Sequence, residues 1–167
     1  MPESSGALVL GLGNPLMTDD GTGLAILARL QSGWQIPPQV ELIDGGTWGM
    51  NLLHLIEGTS QLVLVDAIRC GRPGGSLVIM ERDELPRYLD HKLSPHQVDL
   101  REVLALAELR GTLPAATVAI GIEPAAIELG TTLSPAVEER LDAAAAAVAE
   151  RLSAWGHQCP PLTAAHA

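Results

Sequence analysis

Three acidic side chains come after apolar stretches of this 167-residue sequence, and one histidine lies near a helix-start motif. Asp19 and Asp20 come after the run ALVLGL and a glycine-containing turn, and Asp66 ends the run LVLV. His96 follows a Ser-Pro pair of the kind that starts helices. Carboxylate oxygens together with an imidazole nitrogen suit zinc, nickel, cobalt or manganese. On chemistry alone, the pattern is compatible with a metal-dependent hydrolase.

Asp66 is the strongest of these signals. An ionised carboxylate within so apolar a run is costly unless it is paired, hydrogen-bonded or bound to a metal. The same position also fits a buried aspartate that binds the backbone N–H groups of a neighbouring loop. The residues alone leave both interpretations open.

The other three residues also have structural alternatives. One of Asp19 and Asp20 is expected to N-cap the first helix, which leaves the other to face the edge of a sheet. His96 is the second residue of its helix if Ser94 is the N-cap. Positive charge is disfavoured there, so we expect a neutral imidazole. A surface histidine without a role explains this position equally well.

The elements that must position these residues follow from hydropathy. Apolar runs alternate with amphipathic segments, which predicts alternating strands and helices. Helices are predicted at 20–33, 49–57, from 94 or 95 onward, and at 134–155, whereas 82–94 is expected to be an irregular charged loop. Strands are predicted at 7–11, 40–44, 61–68, 76–80 and 116–122.

The third strand is apolar almost throughout, which is typical of the centre of a parallel sheet covered on both faces. We therefore predict an α/β fold: a three-layer, open, twisted, mostly parallel five-stranded sheet with helices on both faces. The whole chain, 1–167, is expected to be a single domain, with a core at about 7–155 and a loose tail at 156–167.

Ligands of open α/β sheets bind at the carboxyl ends of the strands. The acids and the histidine above are therefore expected to converge on one edge. Glu123 is expected to support these residues rather than contact the ligand, and Asp44 to stabilise the glycine turn through hydrogen bonds.

Cys70 could be a reactive thiol, but no residue near it in sequence would activate it. His91 is expected to be solvated, although it lies close to the site, and no functional role is expected for His54, His157 or His166.

Composition narrows the classes of partner. The formal net charge is −10 with ten lysines and arginines, which argues against a nucleic acid or an anionic membrane. The surplus of acid fits a cationic partner, a metal ion, or a surface that is merely well solvated. Two cysteines without a CxxC pair, and no apparent signal peptide or membrane span, predict a cytoplasmic protein.

The opening GLGNPL is a poor dinucleotide-binding turn. Leu16 stands where a third glycine would lie, and two acids follow where a phosphate would bind. A nucleotide-binding module is therefore disfavoured.

Five motifs, taken in order, resemble the hydrogenase maturation protease family. They are LVLGLGNPLMTDDGTG, IDGGTWGMNLL, LVLVDAI, LSPHQVDLREVLALAE and VAIGIEP, and the likeness runs from about residue 7 to 151. The resemblance implies a twisted five-stranded sheet flanked by helices. It also implies an endopeptidase that removes the C-terminal extension of the nickel-loaded [NiFe] hydrogenase large-subunit precursor.

The resemblance assigns residues to this activity. By motif position, Asp20, Asp66 and His96 match the family's metal-contact and catalytic residues. The position of Asp20 is Glu in many members of the family, so the carboxylate here lies one methylene closer to the backbone. The glycine turn of Gly45, Gly46, Thr47 and Trp48 is implied to face the precursor, although Trp48 can equally pack on its own domain. The implied metal is nickel carried by the precursor, with no firmly bound organic cofactor and a resting site that can be empty.

The predicted partner is therefore the large-subunit precursor, bound by a monomeric protease. The predicted chemistry is metal-assisted peptide hydrolysis. In an alternative mechanism nickel serves only as a recognition tag, and a carboxylate and a water molecule hydrolyse the peptide bond. Two rival functions stay open at this point. One is a nickel-binding hydrogenase chaperone without protease activity, and the other is a metal-dependent peptidase or amidase of other substrates.

Overall fold

The computed structural model describes residues 6–46, 49–90 and 95–162, with the side chains of 49, 50, 89, 90 and 95–99 outside the description. The strands of this part of the chain are β1 (Ala7–Leu12), β2 (Val40–Gly46), β3 (Gln61–Ala67), β4 (Leu77–Glu81) and β5 (Ala116–Ile122). Its α-helices are α1 (Thr22–Gly33), α2 (Leu53–Glu57), α3 (Leu85–Asp90), α4 (Pro95–Leu109), α5 (Pro135–Glu138) and α6 (Leu141–Ala154).

The strands form one sheet in the order β2-β1-β3-β5-β4. β1 pairs in parallel with β2 and β3, and β3 pairs in parallel with β5. β4 runs antiparallel on the outer side of β5. This confirms the predicted open, mostly parallel five-stranded α/β sheet.

Two separate cores cover the two faces of the sheet. Ile26 and Leu30 of α1 pack with Val148 of α6 on one face. Ile56 of α2 and Leu100 of α4 are fully buried on the other. Every residue of β1 is buried, because a central strand covered on both faces has no side open to water. The three-layer arrangement is therefore also confirmed.

The chain adds β2 on one side of β1 and then returns to add β3 on the other side, so β1 and β3 flank a topological switch point. The connection to β2 runs through α1 on one face, and the connection from β2 to β3 runs through α2 on the other. Such a switch point opens a crevice at the carboxyl ends of β1 and β3. Gly23 brings α1 against this crevice, because a Cβ there would lie 2.3 Å from the carbonyl oxygens of both Leu12 and Val65.

Residues 82–90 differ from the predicted irregular loop. Arg82–Glu84 form a 3-10 turn, and α3 follows directly. Glu81 and Glu84 form a capping box that starts the turn, and Leu85 and Tyr88, three residues apart, are buried beneath it. This short amphipathic pattern is hidden among charged residues. Residues 91–94, with His91 and the predicted N-cap Ser94, lie outside the described residues.

The predicted helix at 134–155 is two helices. α5 ends at Glu138, and α6 begins at Leu141 after Arg140, whose φ of −104° departs from helical geometry. α6 ends before Gly156, where φ is +99°. The first helix also starts later than predicted, because Thr18–Gly21 form a 3-10 turn before α1.

The C-terminal segment contacts α1 as far as it is described. The Gln35 N–H donates to the Pro160 carbonyl at 2.9 Å, and the Leu162 N–H donates to the Gly33 carbonyl at 2.8 Å. Cys159 is buried beside them. None of the helices in the described ranges combines the length and the hydrophobicity that crossing a membrane requires.

Candidate active site

Asp66 lies at the carboxyl end of β3 and is fully buried. Its Oδ1 accepts a hydrogen bond from the Ala67 N–H at 2.8 Å. Its Oδ2 accepts a hydrogen bond from the Tyr88 hydroxyl at 2.7 Å. The carboxylate is therefore held in orientation at the switch point, where ligands of such sheets bind.

Tyr88 is a site residue that sequence reasoning missed. It reaches Asp66 from α3, the helix that replaces the predicted loop, and is 1% exposed. Burial raises the pKa of Tyr88 well above its usual value, and the charge of Asp66, the hydrogen bond to it and the charge of Asp20 raise it further. The phenol therefore stays protonated and remains a donor. Asp20 lies in the turn after β1, the strand next to β3, so both buried acids lie at the same carboxyl edge of the sheet.

Asp20 is held by the loop that follows β1. It is fully buried, and its Oδ2 accepts a hydrogen bond from the Asn14 N–H at 3.1 Å. The chain folds back at Gly13, where φ is +126° and a Cβ would lie 1.9 Å from the Asp20 carbonyl oxygen. A glycine is therefore required for this loop to close on the acid.

Asp19 has a different role, and neither acid caps α1. The N-cap of α1 is Gly21, without a side-chain hydrogen bond. Asp19 points instead to the segment after β5, where its Oδ2 accepts from the N–H groups of Ala125 (2.9 Å) and Ala126 (3.0 Å). The Ser134 hydroxyl donates to Oδ2 and its N–H to Oδ1, both at 2.8 Å.

The four hydrogen bonds explain the charge state of Asp19. Burial by itself would raise the pKa of this carboxyl, but the hydrogen bonds from Ser134, Ala126 and Ala125 outweigh it and lower the pKa. Asp19 is therefore an ionised anchor between the loop after β1 and the segment 123–134. The expectation that one of the two acids N-caps α1 was wrong, and the sequence offered no sign of a partner 115 residues away.

His96 is the second residue of α4. Since α4 precedes the parallel strand β5, its first turn lies at the same carboxyl edge as Asp20 and Asp66. The imidazole lies outside the described side chains. Among the side chains that are described, no three His, Cys, Asp or Glu residues are grouped so as to hold a metal ion.

The predicted substrate-facing turn is described only in part. Gly45 and Gly46 extend β2 beyond the predicted end at 44, and Gly46 has a φ of +47°. A Cβ on Gly45 would lie 2.9 Å from the Leu10 side chain and 3.2 Å from the Gly11 carbonyl oxygen. Thr47 and Trp48 lie outside the described residues. Next to the glycines is a cleft of about 260 Å³, lined by Gly13, Asn14, Pro15, Leu24, Asp44 and Gly46.

Glu123 and Cys70 form a structural contact. The Glu123 carboxylate is buried and accepts hydrogen bonds from the N–H groups of Cys70 at 2.9 Å and Arg72 at 3.0 Å. Burial raises the pKa of the Cys70 thiol, and the hydrogen bond and charge of Glu123 raise it further. Cys70 is therefore poorly suited to act as a nucleophile.

Two of the remaining histidines lie at the opposite, amino edge of the sheet. His54 in α2 lines a hollow with Gly6 and Ala7 at the start of β1. A ring nitrogen of His157 lies 2.6 Å from Oε1 of Gln61, the first residue of β3.

Fold and site together define a doubly wound α/β protein with two buried aspartates at its topological switch point. Residues 24–151 match the family model described as hydrogenase maturation protease. The chain is 38% identical to the hydrogenase expression/formation protein HoxM of Cupriavidus necator, over 94% of this chain and 79% of that protein. It is 34% identical to the hydrogenase 2 maturation protease of Escherichia coli, over 95% of this chain and 98% of that protein.

A solved structure agrees with these matches. The hydrogenase maturating endopeptidase HybD from Escherichia coli superposes with a TM-score of 0.88 at 34% identity, covering 93% of this chain and 97% of that one. The chain belongs to the hydrogenase maturation protease family. It is thus a peptidase, and the predicted resemblance is confirmed.

Proposed function

We propose that this protease removes the C-terminal extension from a [NiFe] hydrogenase large-subunit precursor, and that nickel in the precursor is the element it recognises. The observation that carries the proposal is the pair of buried carboxylates, Asp20 and Asp66, at one crevice. Two buried acids are costly side by side unless the site serves a cation or a proton transfer. Family membership supplies the peptidase activity.

The two acids are suited to contact a cation that arrives with the substrate. Carboxylate oxygens and imidazole are acceptable ligands for nickel. Tyr88 and the Ala67 N–H fix the orientation of Asp66, and the Asn14 N–H fixes that of Asp20. The protein thereby holds its oxygen ligands in place before the precursor binds.

His96 would complete the set from the first turn of α4. The positive end of that helix favours the neutral imidazole, which is the form that binds metals or accepts a proton. The same helix end favours negative charge, such as the charge that develops on a carbonyl oxygen under attack.

Hydrolysis itself needs water and a proton acceptor. A water molecule attacks the scissile carbonyl carbon, and one of Asp20, Asp66 and His96 accepts its proton. The C–N bond then breaks, and the proton passes to the departing amine. Precursor-borne nickel would bring the chain end to this crevice and can polarise the scissile carbonyl. In the alternative, nickel serves only as a tag, and the carboxylate and water act without it.

The cleft beside Gly45 and Gly46 is the proposed entry for the precursor chain. Its volume of about 260 Å³ admits a few side chains rather than a folded domain. Glycines leave room for a backbone to approach closely. The motif that contains Thr47 and Trp48 supports a role for these two residues in contacting the precursor as well.

The test is a cleavage assay with the cognate precursor, loaded or not loaded with nickel, read by mass spectrometry of its C-terminus. We compare the wild type with Asp66→Asn, which keeps the size of the side chain and removes its charge. Asp83→Asn is the matched control, because Asp83 is exposed in the 3-10 turn at the amino edge of the sheet. We expect shortening only with nickel, loss of shortening in Asp66→Asn, and full activity in Asp83→Asn.

Other outcomes separate the rival functions. Binding of loaded precursor without any shortening would indicate a nickel-binding chaperone. A protein that keeps its own metal through purification and cuts small peptides or amides, but does not shorten the precursor, would indicate a peptidase or amidase of other substrates.

A further inference from the structure

Two leucines stand exposed at the rim of the candidate site. Leu16, in the loop after β1, is 58% exposed, and Leu129, in the segment after β5, is 86% exposed. Their backbones are neighbours: the Gly130 N–H donates to the Leu16 carbonyl at 2.9 Å, and the Thr18 N–H donates to the Gly130 carbonyl at 2.8 Å. Met17 and Gly130 form a parallel bridge, which places Leu16 opposite Leu129.

The bridge brings the backbones of the two exposed leucines next to each other, and we call the pair the leucine rim (Leu16 and Leu129). Exposed Pro15 continues it at the edge of the 260 Å³ cleft.

The fold holds the leucine rim in place. Asp19 binds the N–H groups of Ala125 and Ala126 and both polar groups of Ser134, and so fixes the segment that carries Leu129. The Thr18 hydroxyl donates to the Ala126 carbonyl at 2.9 Å and adds a second connection. A single buried carboxylate thus keeps two loops together with their leucines outward.

The leucine rim is also tied directly to the acidic site. The Leu16 N–H donates to Oδ1 of Asn14 at 3.0 Å, and the Asn14 N–H donates to the Asp20 carboxylate at 3.1 Å. One residue therefore separates the apolar rim from a site acid.

We propose that the leucine rim is a docking surface for an uncharged, apolar segment of the precursor, next to the peptide bond that is cut. The inference rests on the proposed function, since it takes the precursor as the substrate of this crevice. Its support is the continuity of the rim with the crevice of a protease. The acidic crevice contacts the cation. The leucine rim buries apolar side chains of the precursor, an interaction that the carboxylates cannot provide.

The test replaces both leucines by serine and measures processing of nickel-loaded precursor. Leu109→Ser is the matched control: Leu109 is 85% exposed at the end of α4, at the amino edge of the sheet. We expect the double variant to raise KM about tenfold, the loss that follows from no longer burying one to two leucines, with kcat unchanged. Leu109→Ser should match the wild type, and the double change to methionine should restore KM.

A binding arm decides the inference independently of cleavage. Nickel-free precursor is immobilised, and its Kd for wild type, the double serine variant and Leu109→Ser is measured by interferometry. Weaker binding of the double serine variant alone supports the leucine rim. Equal Kd and equal KM for wild type and double variant overturn the docking surface, even if the precursor is cut as proposed.

Two further outcomes are informative. If the wild type leaves loaded precursor uncut while the double serine variant still binds more weakly, the proposed function fails and the docking surface stands. If sedimentation shows that the protease alone is a dimer that the serine changes dissociate, a second copy of the chain covers the rim and the inference is overturned.

Discussion

The Tyr88 hydroxyl donates a 2.7 Å hydrogen bond to Oδ2 of Asp66, and both side chains are buried. The bond joins the end of β3 to α3, which leads along the chain toward α4 and His96. Tyr88 thus positions an acid of the candidate site and anchors one end of the segment that carries the histidine. Leu100, buried in the core beneath the sheet, anchors the other end.

We predict that Tyr88→Phe weakens processing more than folding. The phenylalanine keeps the packing but leaves a buried carboxylate oxygen without this donor. Loss of residues that orient a metal-binding carboxylate typically costs about 10–100-fold in activity or metal affinity. We expect a fall of that size in kcat/KM, and a loss of about 1–3 kcal/mol in the free energy of unfolding.

Isothermal titration of nickel ions into the wild type and the variant provides a second measurement. Unchanged metal affinity and unchanged kcat/KM, at any stability, would show that Tyr88 is only a packing residue. Tyr88→Leu, which also removes the aromatic ring, separates loss of packing from loss of the hydroxyl.

The strands around the candidate site, and the place of Asp66 at the end of one of them, could be predicted from sequence because the strands carry strong local signals. Asp66 stands out as an acid at the end of an apolar run, and the glycines after β1 and β2 mark close approaches of backbone. Tyr88 carried no such signal: α3 is six residues long and lies among charged side chains, and only Leu85 and Tyr88 reveal its buried face.

Asp19 shows a second limit of local patterns. Capping preferences identify Asp19 and Ser134 as residues that bind backbone N–H groups, but they assign each to the nearest helix. In the structure the two bind each other across 115 residues, and neither α1 nor α5 has a side-chain cap. Which N–H groups a buried carboxylate binds is decided by topology.

We predict that Asp19→Ala is strongly destabilising. The change leaves the N–H groups of Ala125, Ala126 and Ser134 without their acceptor in a buried setting. Hydrogen bonds to a charged group contribute about 1.5–3 kcal/mol each, so a loss of at least about 3 kcal/mol in the free energy of unfolding is expected. Urea denaturation measures it, and Asp83→Ala at an exposed position should change it by less than about 0.5 kcal/mol.

Asp19 also predicts a pH dependence of stability. Its pKa is lowered on folding from the ordinary value of 3.8, so the unfolded chain binds its proton more readily than the folded one. The contribution of Asp19 is therefore complete above pH 3.8 and declines as the pH falls below that value toward the folded pKa. Unfolding free energies measured downward from pH 5 should fall more steeply for wild type than for Asp19→Asn. Parallel curves for the two proteins would contradict the anchoring role.

Two glycines of α1 predict opposite effects of the same substitution. At Gly23 a Cβ would lie 2.3 Å from the carbonyl oxygens of Leu12 and Val65, so Gly23→Ala must push α1 away from β1 and β3. At Gly33 a Cβ meets nothing within 4 Å. We expect Gly33→Ala to stabilise the protein by about 0.4–1 kcal/mol, because it restricts the unfolded chain.

Gly23→Ala should instead destabilise by about 3 kcal/mol, at the upper end of the usual cost of overpacking. Because α1 follows directly on the turn that carries Asp20, the same displacement should widen the crevice and lower kcat/KM for the precursor. Thermal unfolding and cleavage assays on the two variants measure both effects. A Gly23→Ala protein with wild-type stability and activity would show that the close contact of α1 with the strand ends does not position Asp20.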